Sequence, residues 1–504
     1  MKKLRFILIM LCFCMLLPIA ACGKEPVKED TGNKYIYDDL TRETAADSIE
    51  EGYDLEGQTI GIFYPLAQEK FVLGDSETTD VIFSKIHERN LSVQERLNVN
   101  IDFIDSGVDG WEDSSNVLKT EIQTMSSAWE IVFASNNMVI QKKLFNYFHN
   151  LNDSNYINAD ERWWYSDAIY ELSVDNYNYR FLYGDICVQT LGQTGAIYYN
   201  KDMYEQYLSP TKDRDELYQK VLDGTWTLEE FDRLTKKAHI EKGGDGSNDI
   251  YGWSLFGSGE KIYFFQIGCG INMYYRDEYG MPIIDFKNDK SADFVNKLYS
   301  IIYENEGSWP FFPGLGGGPR AEHKYDFPNG KVMFLVKYVN AALDDEMREM
   351  KTDFGILPFP KWDEAQDTYY SLLHNSTVMT AVPVSTDEDR ANEEVSAVIE
   401  ALASEAYRHV AVAYYETALK TTYNRDDMSA QMIDIICGQH DTVKSSLTKN
   451  FIYEYSWCLG GIGTIMNRLM SNKSTNFVSE YDSRIGSAET GLKDLIKQYK
   501  EGKI

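Results

Sequence analysis

The sequence predicts an α/β protein with parallel sheets, and the alternation of patterns in residues 58–134 is the main reason. Three short β-rich runs in this part predict strands, and two segments with helical spacing of their apolar residues separate them. The predicted strands are Gln58–Tyr64, Asn98–Ile104 and Trp129–Ala134, and the predicted helices are Val81–Leu97 and Asn116–Ser127. Strands that alternate with helices in this order pair in parallel, because the chain needs a crossover between them.

The ends of these predicted strands carry the first candidate ligand residues. In parallel sheets, ligands bind beyond the carboxyl ends of the strands. Tyr64 ends the first predicted strand, and Asn136 and Asn137 follow the third. We therefore expect these three side chains at the rim of a binding site.

A second group of predicted strands and helices begins near residue 195. The segment Thr227-Leu-Glu-Glu230 is a capping box, in which the Thr oxygen accepts an N–H bond and the Glu reaches back, so a helix should run from here to about His239. Trp226 and Phe231 occupy the positions of a hydrophobic staple. A long helix is predicted from about Asn392, and the last hundred residues are mostly helical by pattern. The strands predicted in this part are Gly195–Asn200, Val332–Val336, Asp353–Leu357 and Thr377–Val384.

Length and charge exclude some classes of function. The 504 residues are 43% apolar and 25% charged, so the chain can bury a large core and is not disordered. There are 79 acidic residues against 49 Lys and Arg, which gives a formal net charge of −30. A surface of that sign repels phosphate backbones, so we expect no nucleic-acid partner.

The first residues predict export rather than a fold. Lys2, Lys3 and Arg5 precede the apolar run Phe6–Leu17, which has the length of a signal-peptide core. Residues 19–23 (IAACG) resemble the lipobox of bacterial lipoproteins, in which cleavage before the Cys leaves that residue to carry the lipid. An ordinary secretory signal with an incidental Cys is the alternative interpretation.

On the lipoprotein interpretation, residues 1–21 are the signal peptide, and residues 22–56 are the lipidated Cys22 and a flexible acidic tether. Cleavage would leave 46 basic residues against 79 acidic ones, a formal charge of −33. We expect the body on the extracellular face of the cell membrane, held by palmitate or a similar lipid. The long tether favours the single-membrane envelope of a Gram-positive bacterium.

The remaining cysteines do not predict a disulfide framework. Beyond Cys22 the mature chain has Cys187, Cys269, Cys437 and Cys458, with no CxxC spacing. Buried free thiols are the favoured state, although one or two bridges stay open.

Motifs for catalysis, metals and cofactors are missing from the sequence. It has no G-x-S-x-G, no H-E-x-x-H and no phosphate loop, and the glycine-rich segment 314–320 lacks the Lys-Ser/Thr of such a loop. Residues 241–252 resemble part of a calcium loop, but its third and twelfth ligands are absent, so an acidic turn is the favoured interpretation. We therefore expect a protein that is not an enzyme and needs no cofactor or metal, although paired carboxylates leave a glycosidase open.

Aromatic residues beside polar groups are typical of sugar binding, because sugar rings stack on aromatic faces while their hydroxyls bond to planar polar groups. Trp163 and Trp164 stand between an Arg and an Asp in such a context, and Tyr338 and Trp457 are further candidates. Core packing at a helix start is the alternative for the Trp pair. Adjacent helical residues point apart, so at most one Trp should face a cleft.

Several stretches, in order along the chain, resemble the extracellular solute-binding lipoproteins of bacterial sugar ABC importers, the group that includes maltose-binding protein. They follow the lipobox and cover nearly the whole mature chain. These stretches are WEIVFAS (129–135), YGDI (183–186) with AIYYNKDMY (196–204), GTWTLEEF (224–231), YG (251–252), FPNGKVMF (327–334) and DFGILPFPK (353–361) with VP (382–383).

The resemblance implies the two-lobe, type II periplasmic-binding-protein-like fold, with α/β lobes that close on a ligand by hinge motion. It places chain crossings near residues 188–196, 373–378 and 411–420. Lobe 1 would then hold residues 57–190 and 377–415, and lobe 2 would hold 195–375 and 420–504. The ligand residues that the resemblance implies at the cleft are Tyr64, Asn136, Asn137, Trp163, Trp164, Asp185, Gln189, Tyr338 and Asn340, and Trp457 joins them as an aromatic candidate.

The function implied is delivery of a carbohydrate, with a neutral oligosaccharide favoured, to the permease subunits of an ABC importer by cleft closure. We expect a monomer that is bound to the membrane through its N-terminal lipid. The alternatives are a cell-surface polysaccharide-degrading enzyme and a peptide-binding lipoprotein. Sequence alone leaves open the sugar, its length and linkage, and the permease partner.

Overall fold

The structure, a computed structural model, describes residues 44–501 except 109, 126–127, 141, 176–177, 244–248, 256–260, 310–324, 415–426 and 441. Several predictions lie outside the described residues: the signal peptide, the lipidated Cys22, residues 22–43 of the tether, the glycine-rich segment 314–320, the centre of the calcium-like loop and most of the crossing at 411–420. The side chain of Asn137 also lies outside them.

The described strands are numbered in chain order. They are β1 (Thr59–Tyr64), β2 (Asn100–Asp105), β3 (Ile131–Ser135), β4 (Gly195–Asn200), β5 (Tyr251–Leu255), β6 (Tyr274–Arg276), β7 (Pro282–Ile284), β8 (Val332–Tyr338), β9 (Phe354–Leu357), β10 (Tyr369–Leu372), β11 (Val378–Ala381) and β12 (Ser445–Thr448).

Helices connect and cover these strands. The described α-helices are Glu69–Leu73, Val81–Leu97, Trp111–Thr124, Asn136–Ile140, Ser166–Leu172, Gln189–Gly192, Lys201–Met203, Glu216–Leu222, Leu228–Lys237, Lys261–Gly268, Asp289–Tyr299, Asp345–Arg348, Glu388–Arg390, Ser396–Glu405, Asp427–Ile436, Phe451–Glu454, Ile465–Ser471, Phe477–Asp482 and Ile485–Glu501. Four π-helical segments continue helices, at Tyr204–Leu208, Ser300–Glu304, Ala391–Val395 and Ala406–Val410. Short 3₁₀ turns lie at Leu66–Gln68, Phe145–Tyr147, Val339–Leu343 and Ile462–Thr464.

The first sheet has the order β11-β3-β1-β2. β1 is parallel to β2 and β3, as the sequence pattern predicts, and β11 joins antiparallel to β3. Residues 60–64 of β1 are all buried, because helices cover both faces of a parallel sheet. Gly61 is needed here for close packing, since a Cβ at this position would lie 2.2 Å from the carbonyl oxygen of Ala128.

The second sheet has the order β5-β8-β4-β9. β4 is antiparallel to β8 and β9, and β5 is parallel to β8. Every residue of β4 is buried, so this strand lies at the centre of the second core. Two smaller pairs, parallel β10-β12 and the antiparallel hairpin β6-β7, complete the described sheets.

The predicted helix start at residue 227 is confirmed, with one difference. The Thr227 side chain accepts a hydrogen bond from the backbone N–H of Glu230 at 3.3 Å, and the rings of Trp226 and Phe231 pack edge to face. The Glu230 carboxylate does not complete the capping box, because it accepts a hydrogen bond from Arg233 at 2.7 Å instead. Another helix, predicted at 116–127, spans Trp111–Thr124, since its polar first turn hides it from an apolar pattern.

The last part of the predicted tether packs on the body, so its prediction as a flexible segment to residue 56 is wrong at this end. The Asp47 side chain is 2% exposed and pairs with Arg96 at 2.5 Å, and Ser404 donates to it at 2.6 Å. Burial favours a raised pKa for Asp47, but these hydrogen bonds outweigh it and hold the pKa below its ordinary value. Leu55 is also 2% exposed.

The chain passes from the first sheet to the second between β3 and β4, and returns between β9 and β11. Two of the predicted crossings, at 188–196 and 373–378, lie on these paths and pair with each other. Thr194 and Leu373 form an antiparallel bridge, and the N–H of His374 donates to the Gln193 carbonyl at 3.1 Å. The lobe boundaries themselves stay a prediction.

The four described cysteines are free thiols, and Cys187, Cys269 and Cys437 are buried. Among the described residues, no helix combines the length and the apolar character needed to cross a membrane. Nor does this part of the chain hold a group of three or more His, Cys, Asp or Glu residues suited to a metal ion.

Candidate functional site at the strand ends

The carboxyl end of β3 leads into a buried polar network. Asn136 is 1% exposed, and its Nδ2 donates to Glu454 Oε2 at 2.8 Å. Its Oδ1 accepts a hydrogen bond from the hydroxyl of Tyr183, which is fully buried. Both ends of the Asn136 amide therefore have partners from distant parts of the sequence.

Lys449 and Glu454 lie at the centre of this network. They are 1% and 5% exposed, and the Lys449 Nζ and Glu454 Oε1 atoms are 3.3 Å apart. Lys449 also donates to the carbonyl oxygen of His374 at 2.7 Å. Burial lowers the pKa of Lys449, and the charge of Glu454 opposes that shift. The charge of each side chain thus offsets part of the cost of burying the other.

The carboxyl end of β8 reaches the same network through Tyr338. The ring of Tyr338 meets the ring of His374 edge to face, with centroids 5.1 Å apart. The Lys261 Nζ lies 4.5 Å from the centroid of the Tyr338 ring, within range of a cation–π contact. The ends of β3 and β8 are therefore linked. The name strand-end network is used for Asn136, Tyr183, Tyr338, His374, Lys449 and Glu454.

A cavity of about 550 Å³ borders this network at Lys449. It lies among helix Ser166–Leu172 and strands β6, β10 and β12, and a volume of this size suits a small organic ligand. The name junction cavity is used for it. Its lining comprises Asp167, Tyr170, Glu171, Ile267, Gly270, Ile271, Asn272, Arg276, Thr368, Tyr370, Ser446, Thr448, Lys449 and Asn450.

The chemistry of the junction cavity suits a neutral ligand with many hydroxyl groups. Two carboxylates in its lining are balanced by two cations, and amides, hydroxyls and two Tyr rings make up most of the rest. Asp167 accepts a hydrogen bond from Ser446 at 2.5 Å, and Asn450 donates to Asn272 at 3.0 Å. A carboxylate and an amide can each make further bonds, so both retain capacity for a ligand.

Arg276 on β6 fixes one wall of the cavity. Its guanidinium donates to carbonyl oxygens at the carboxyl end of helix Ser166–Leu172, at 2.8–3.3 Å. These carbonyls belong to Tyr170, Glu171, Ser173 and Val174. Tyr170 and Glu171 lie in the last turn of the helix, and Ser173 and Val174 follow it, so Arg276 adds hydrogen bonds at the helix end beside that from the N–H of Ser173 to the Tyr170 carbonyl. Beside it, the Tyr274 hydroxyl donates to the Glu171 carboxylate, whose pKa burial raises.

The structure places the predicted Trp pair away from this cavity. Trp163 and Trp164 are 1% and 2% exposed, and neither lines the junction cavity. Their indole N–H groups donate to the two oxygens of Glu400, at 3.1 and 3.0 Å. Glu400 is buried, which raises its pKa to about 8. This arrangement favours the core-packing alternative for both Trp residues.

The other predicted site residues divide between the network and more distant positions. Asn136 and Tyr338 belong to the strand-end network. Tyr64 is buried at the end of β1, where burial and the charge of Asp105 raise its pKa, and Asp185 accepts a hydrogen bond from Tyr165 at 2.6 Å. None of these residues lines the junction cavity.

Three further predicted site residues lie outside both groups. Gln189 begins the helix Gln189–Gly192, and its Oε1 is buried without a hydrogen-bond partner among the described residues. The Cβ of Asn340 lies 3.0 Å from the place a side chain on Gly192 would take. Trp457 is 75% exposed.

Sequence reasoning missed the central pair and the cavity. The segment that holds Lys449 and Glu454 has no motif typical of a binding site. Its one local signal is the helix N-cap Asn450, whose side chain accepts a hydrogen bond from the N–H of Tyr453 at 3.2 Å. Their partners are more than 70 residues away or, for Asn136, 318 residues away. Only the fold brings such groups together.

Comparisons with known proteins find similarity in fold but not in sequence. No family model matches the chain, and no curated protein matches its sequence. The sugar-binding protein MalE from Xanthomonas citri is 11% identical, with a TM-score of 0.55, over 88% of this chain and 99% of that one.

Two further solved structures share the fold. A cyclo/maltodextrin-binding protein complexed with maltotetraose is 10% identical with a TM-score of 0.54, over 87% of this chain and 97% of its own. RafE from Streptococcus pneumoniae, in its apo form, is 13% identical with a TM-score of 0.51, over 86% and 98%. The chain therefore has the two-lobe, type II periplasmic-binding-protein-like α/β fold of ABC-transporter sugar-binding proteins.

Proposed function

We propose that this protein binds a carbohydrate outside the cell and delivers it to the permease subunits of an ABC importer. The observation that carries the proposal is the shared fold, in which polar side chains of two sheets meet at the strand ends. Two of the proteins with this fold are described as a sugar-binding protein and as a complex with maltotetraose. The balanced charges and many hydrogen-bonding groups of the junction cavity support a neutral oligosaccharide.

The mechanism requires binding and closure rather than catalysis. A ligand that contacts both sides of a hinged cleft stabilises the closed state, because it binds that state more tightly than the open one. Helix Ser166–Leu172, capped by Arg276 of β6, would be one side of that contact. The closed shape would then be the form that the permease recognises.

We infer in addition that Cys22 carries a lipid anchor on the extracellular face, with the body acting as a monomer. Residues 19–23 and the basic, apolar start of the chain support this. In a Gram-positive host, Cys22→Ser should move the protein from the membrane fraction to the culture medium. Retention of the variant in the membrane at the wild-type level would contradict a lipid on this residue.

A thermal-shift screen of the purified body tests the binding function directly. A ligand at 100 times its Kd adds about 2.7 kcal/mol to the free energy of unfolding, which gives a readily measured rise in Tm. We expect oligosaccharides to stabilise, and peptides to have no effect. Stabilisation by peptides alone would favour a peptide-binding lipoprotein, and release of reducing ends from mixed glycans would favour an enzyme.

The junction cavity can be tested with one exposed residue and a matched control. Asn272 is exposed and lines the cavity, so Asn272→Ala should weaken sugar binding, and it should lower Tm only slightly through the loss of the acceptor of Asn450. Asn116→Ala, at an exposed position on helix Trp111–Thr124, should change neither quantity. Equal affinity for the wild type and Asn272→Ala would remove this cavity from the proposed site.

A further inference from the structure

A second cavity, of about 520 Å³, adjoins the junction cavity. The name outer cavity is used for it. The two cavities share Gly270 and Tyr370, so they meet at these residues. The remaining lining of the outer cavity comprises Lys290, Asp293, Trp362, Asp363, Ala365 and Gln366.

Gly270 and Tyr370 form the boundary between the two cavities. Alternation along β10 buries Tyr369, whose hydroxyl donates to the Val221 carbonyl at 3.1 Å, and leaves Tyr370 half-buried on the cavity side. Gly270 has a φ of +64°, and a Cβ there would lie 3.1 Å from Gln366 Oε1. A larger residue at 270 would therefore be strained and would crowd the Gln366 side chain at this boundary.

The outer cavity presents an aromatic ring on a fixed loop. Trp362 is half-buried, and its ring packs against Phe294 with centroids 6.5 Å apart. Gln366 holds this loop: its Oε1 accepts from the backbone N–H of Trp362 at 3.1 Å, and its Nε2 donates to the Gly268 carbonyl at 2.7 Å. Among the described residues, no acceptor is bonded to the indole N–H of Trp362, so this group has capacity for a ligand.

Exposed polar groups surround that ring. Asp293, on helix Asp289–Tyr299, and Asp363 both carry exposed carboxylates, and Lys290 donates to the Gly270 carbonyl at 3.4 Å. An aromatic face beside exposed carboxylates offers a sugar ring both its stacking surface and its hydroxyl partners. The outer cavity, like the junction cavity, therefore combines aromatic rings with polar groups that can bond to hydroxyls.

We infer that the two cavities form one elongated groove, and that the ligand is a linear oligosaccharide with one end in the junction cavity and a later sugar ring stacked on Trp362. Each cavity alone lies within the range of about 300–1,000 Å³ that holds one small ligand, so the pair exceeds the need of a monosaccharide. This inference rests on the proposed carbohydrate function and adds the length of the ligand to it.

Calorimetric titration with oligosaccharides of increasing length tests the inference. The probes are linear β-1,4 and α-1,4 gluco-oligosaccharides and the corresponding xylo- and manno-series, from one to six units. The full body is compared with Trp362→Ala, Asp293→Ala and Trp111→Ala. Trp111 is the matched control, because it is 45% exposed and lines neither cavity.

We expect the affinity of the wild type to rise at least tenfold between two and four units in the series that binds. Trp362→Ala should remove roughly three- to tenfold of that gain, the range expected for one stacking contact, and leave the affinity for the short probe unchanged. Asp293→Ala, at an exposed position that does not affect packing, should reduce the gain by a smaller factor. Trp111→Ala should match the wild type.

The outcomes separate this inference from the proposed function. If no saccharide of any series binds, the carbohydrate function fails and the groove fails with it. If short and long probes bind equally well, the function stands and the groove is overturned. The groove is also overturned if Trp362→Ala, folded by its circular dichroism spectrum, and Asp293→Ala both keep the full gain with length.

Discussion

Two polar regions of this protein share Lys449 but differ in how their polar groups are satisfied. In the strand-end network, Asn136, Lys449 and Glu454 bond to each other and are at most 5% exposed. In the junction cavity, Asp167 and Asn272 are exposed and face open space. Groups that satisfy each other hold the fold, whereas groups with spare capacity are available to a ligand. The difference teaches that burial of a polar residue at a strand end does not by itself make it a ligand residue.

Glu454→Ala should have the largest effect on stability if the network is structural. The substitution leaves the ammonium of Lys449 buried without its counter-charge and removes an acceptor from Asn136. We expect the free energy of unfolding to fall by about 3–5 kcal/mol, measured by urea denaturation. The exposed ion pair Lys444–Asp367, with an N–O distance of 2.9 Å, provides the control, since Lys444→Met should change stability too little to measure.

A small loss in Glu454→Ala would contradict the structural role of the network. It would mean that water reaches Lys449, and the network would then belong with the junction cavity as part of an open site. The double variant Lys449→Met/Glu454→Leu sharpens the result. If burial of an unpaired charge causes the loss, removing both charges should recover part of the stability.

Glu400 provides the next test, because it is another internally satisfied polar group. Its pKa is raised to about 8 by burial, so between about pH 4.5 and pH 8 the folded state holds a proton that the unfolded state has lost. Stability should therefore fall as pH rises through this range, on the order of 1 kcal/mol for each pH unit from this group. Above pH 8 this contribution is lost and no longer changes.

Glu400→Gln should show a flatter profile over the same range, because its side chain cannot ionise. Denaturant midpoints at several pH values between 5 and 9 measure the difference. Glu405→Gln is the control, because Glu405 lies on the same helix and is 9% exposed. This variant should show the same fall of stability with pH as the wild type, since Glu400 is unchanged. Equal slopes in the wild type and Glu400→Gln would show that Glu400 is ionised against the two indoles.

The Trp residues show how far sequence can predict a site. Apolar patterns predicted the four strands of the first sheet and three of the four in the second, all but β5, because burial of a strand depends largely on local patterns. The polar context of Trp163 and Trp164 favoured a cleft, yet both donate to Glu400, which lies 236 residues or more away in sequence. Trp362 stands between a Lys and an Asp in a similar context, was not predicted as a site residue, and borders a cavity. Whether a Trp is buried or lines a cavity depends on which distant segment packs against it. A local sequence pattern cannot predict that contact.

Arg276→Ala should have a smaller effect on stability and a clearer one on binding. The substitution removes four hydrogen bonds to the end of helix Ser166–Leu172, which forms a wall of the junction cavity. We expect a loss of about 1–3 kcal/mol in the free energy of unfolding, and weaker binding of every sugar whatever its length. Arg276→Lys should restore only part, since an ammonium cannot reach four carbonyls at once. Unchanged affinity would show that the cavity wall does not depend on this cap.

Trp457→Ala should have the smallest effect on stability and binding. It tests whether the sequence-based prediction of this residue as a ligand residue or its position outside both cavities is the better guide. The sequence predicts Trp457 as a ligand residue because it is aromatic, but the side chain is 75% exposed and lines neither cavity. We expect the free energy of unfolding to stay within about 0.5 kcal/mol of the wild-type value, because an exposed side chain away from the core contributes little to stability. Affinity for the best oligosaccharide should change less than twofold. A tenfold loss of affinity would instead indicate that the ligand binds near Trp457, beside the helix Phe451–Glu454. The strand-end network would then need to open when the ligand binds.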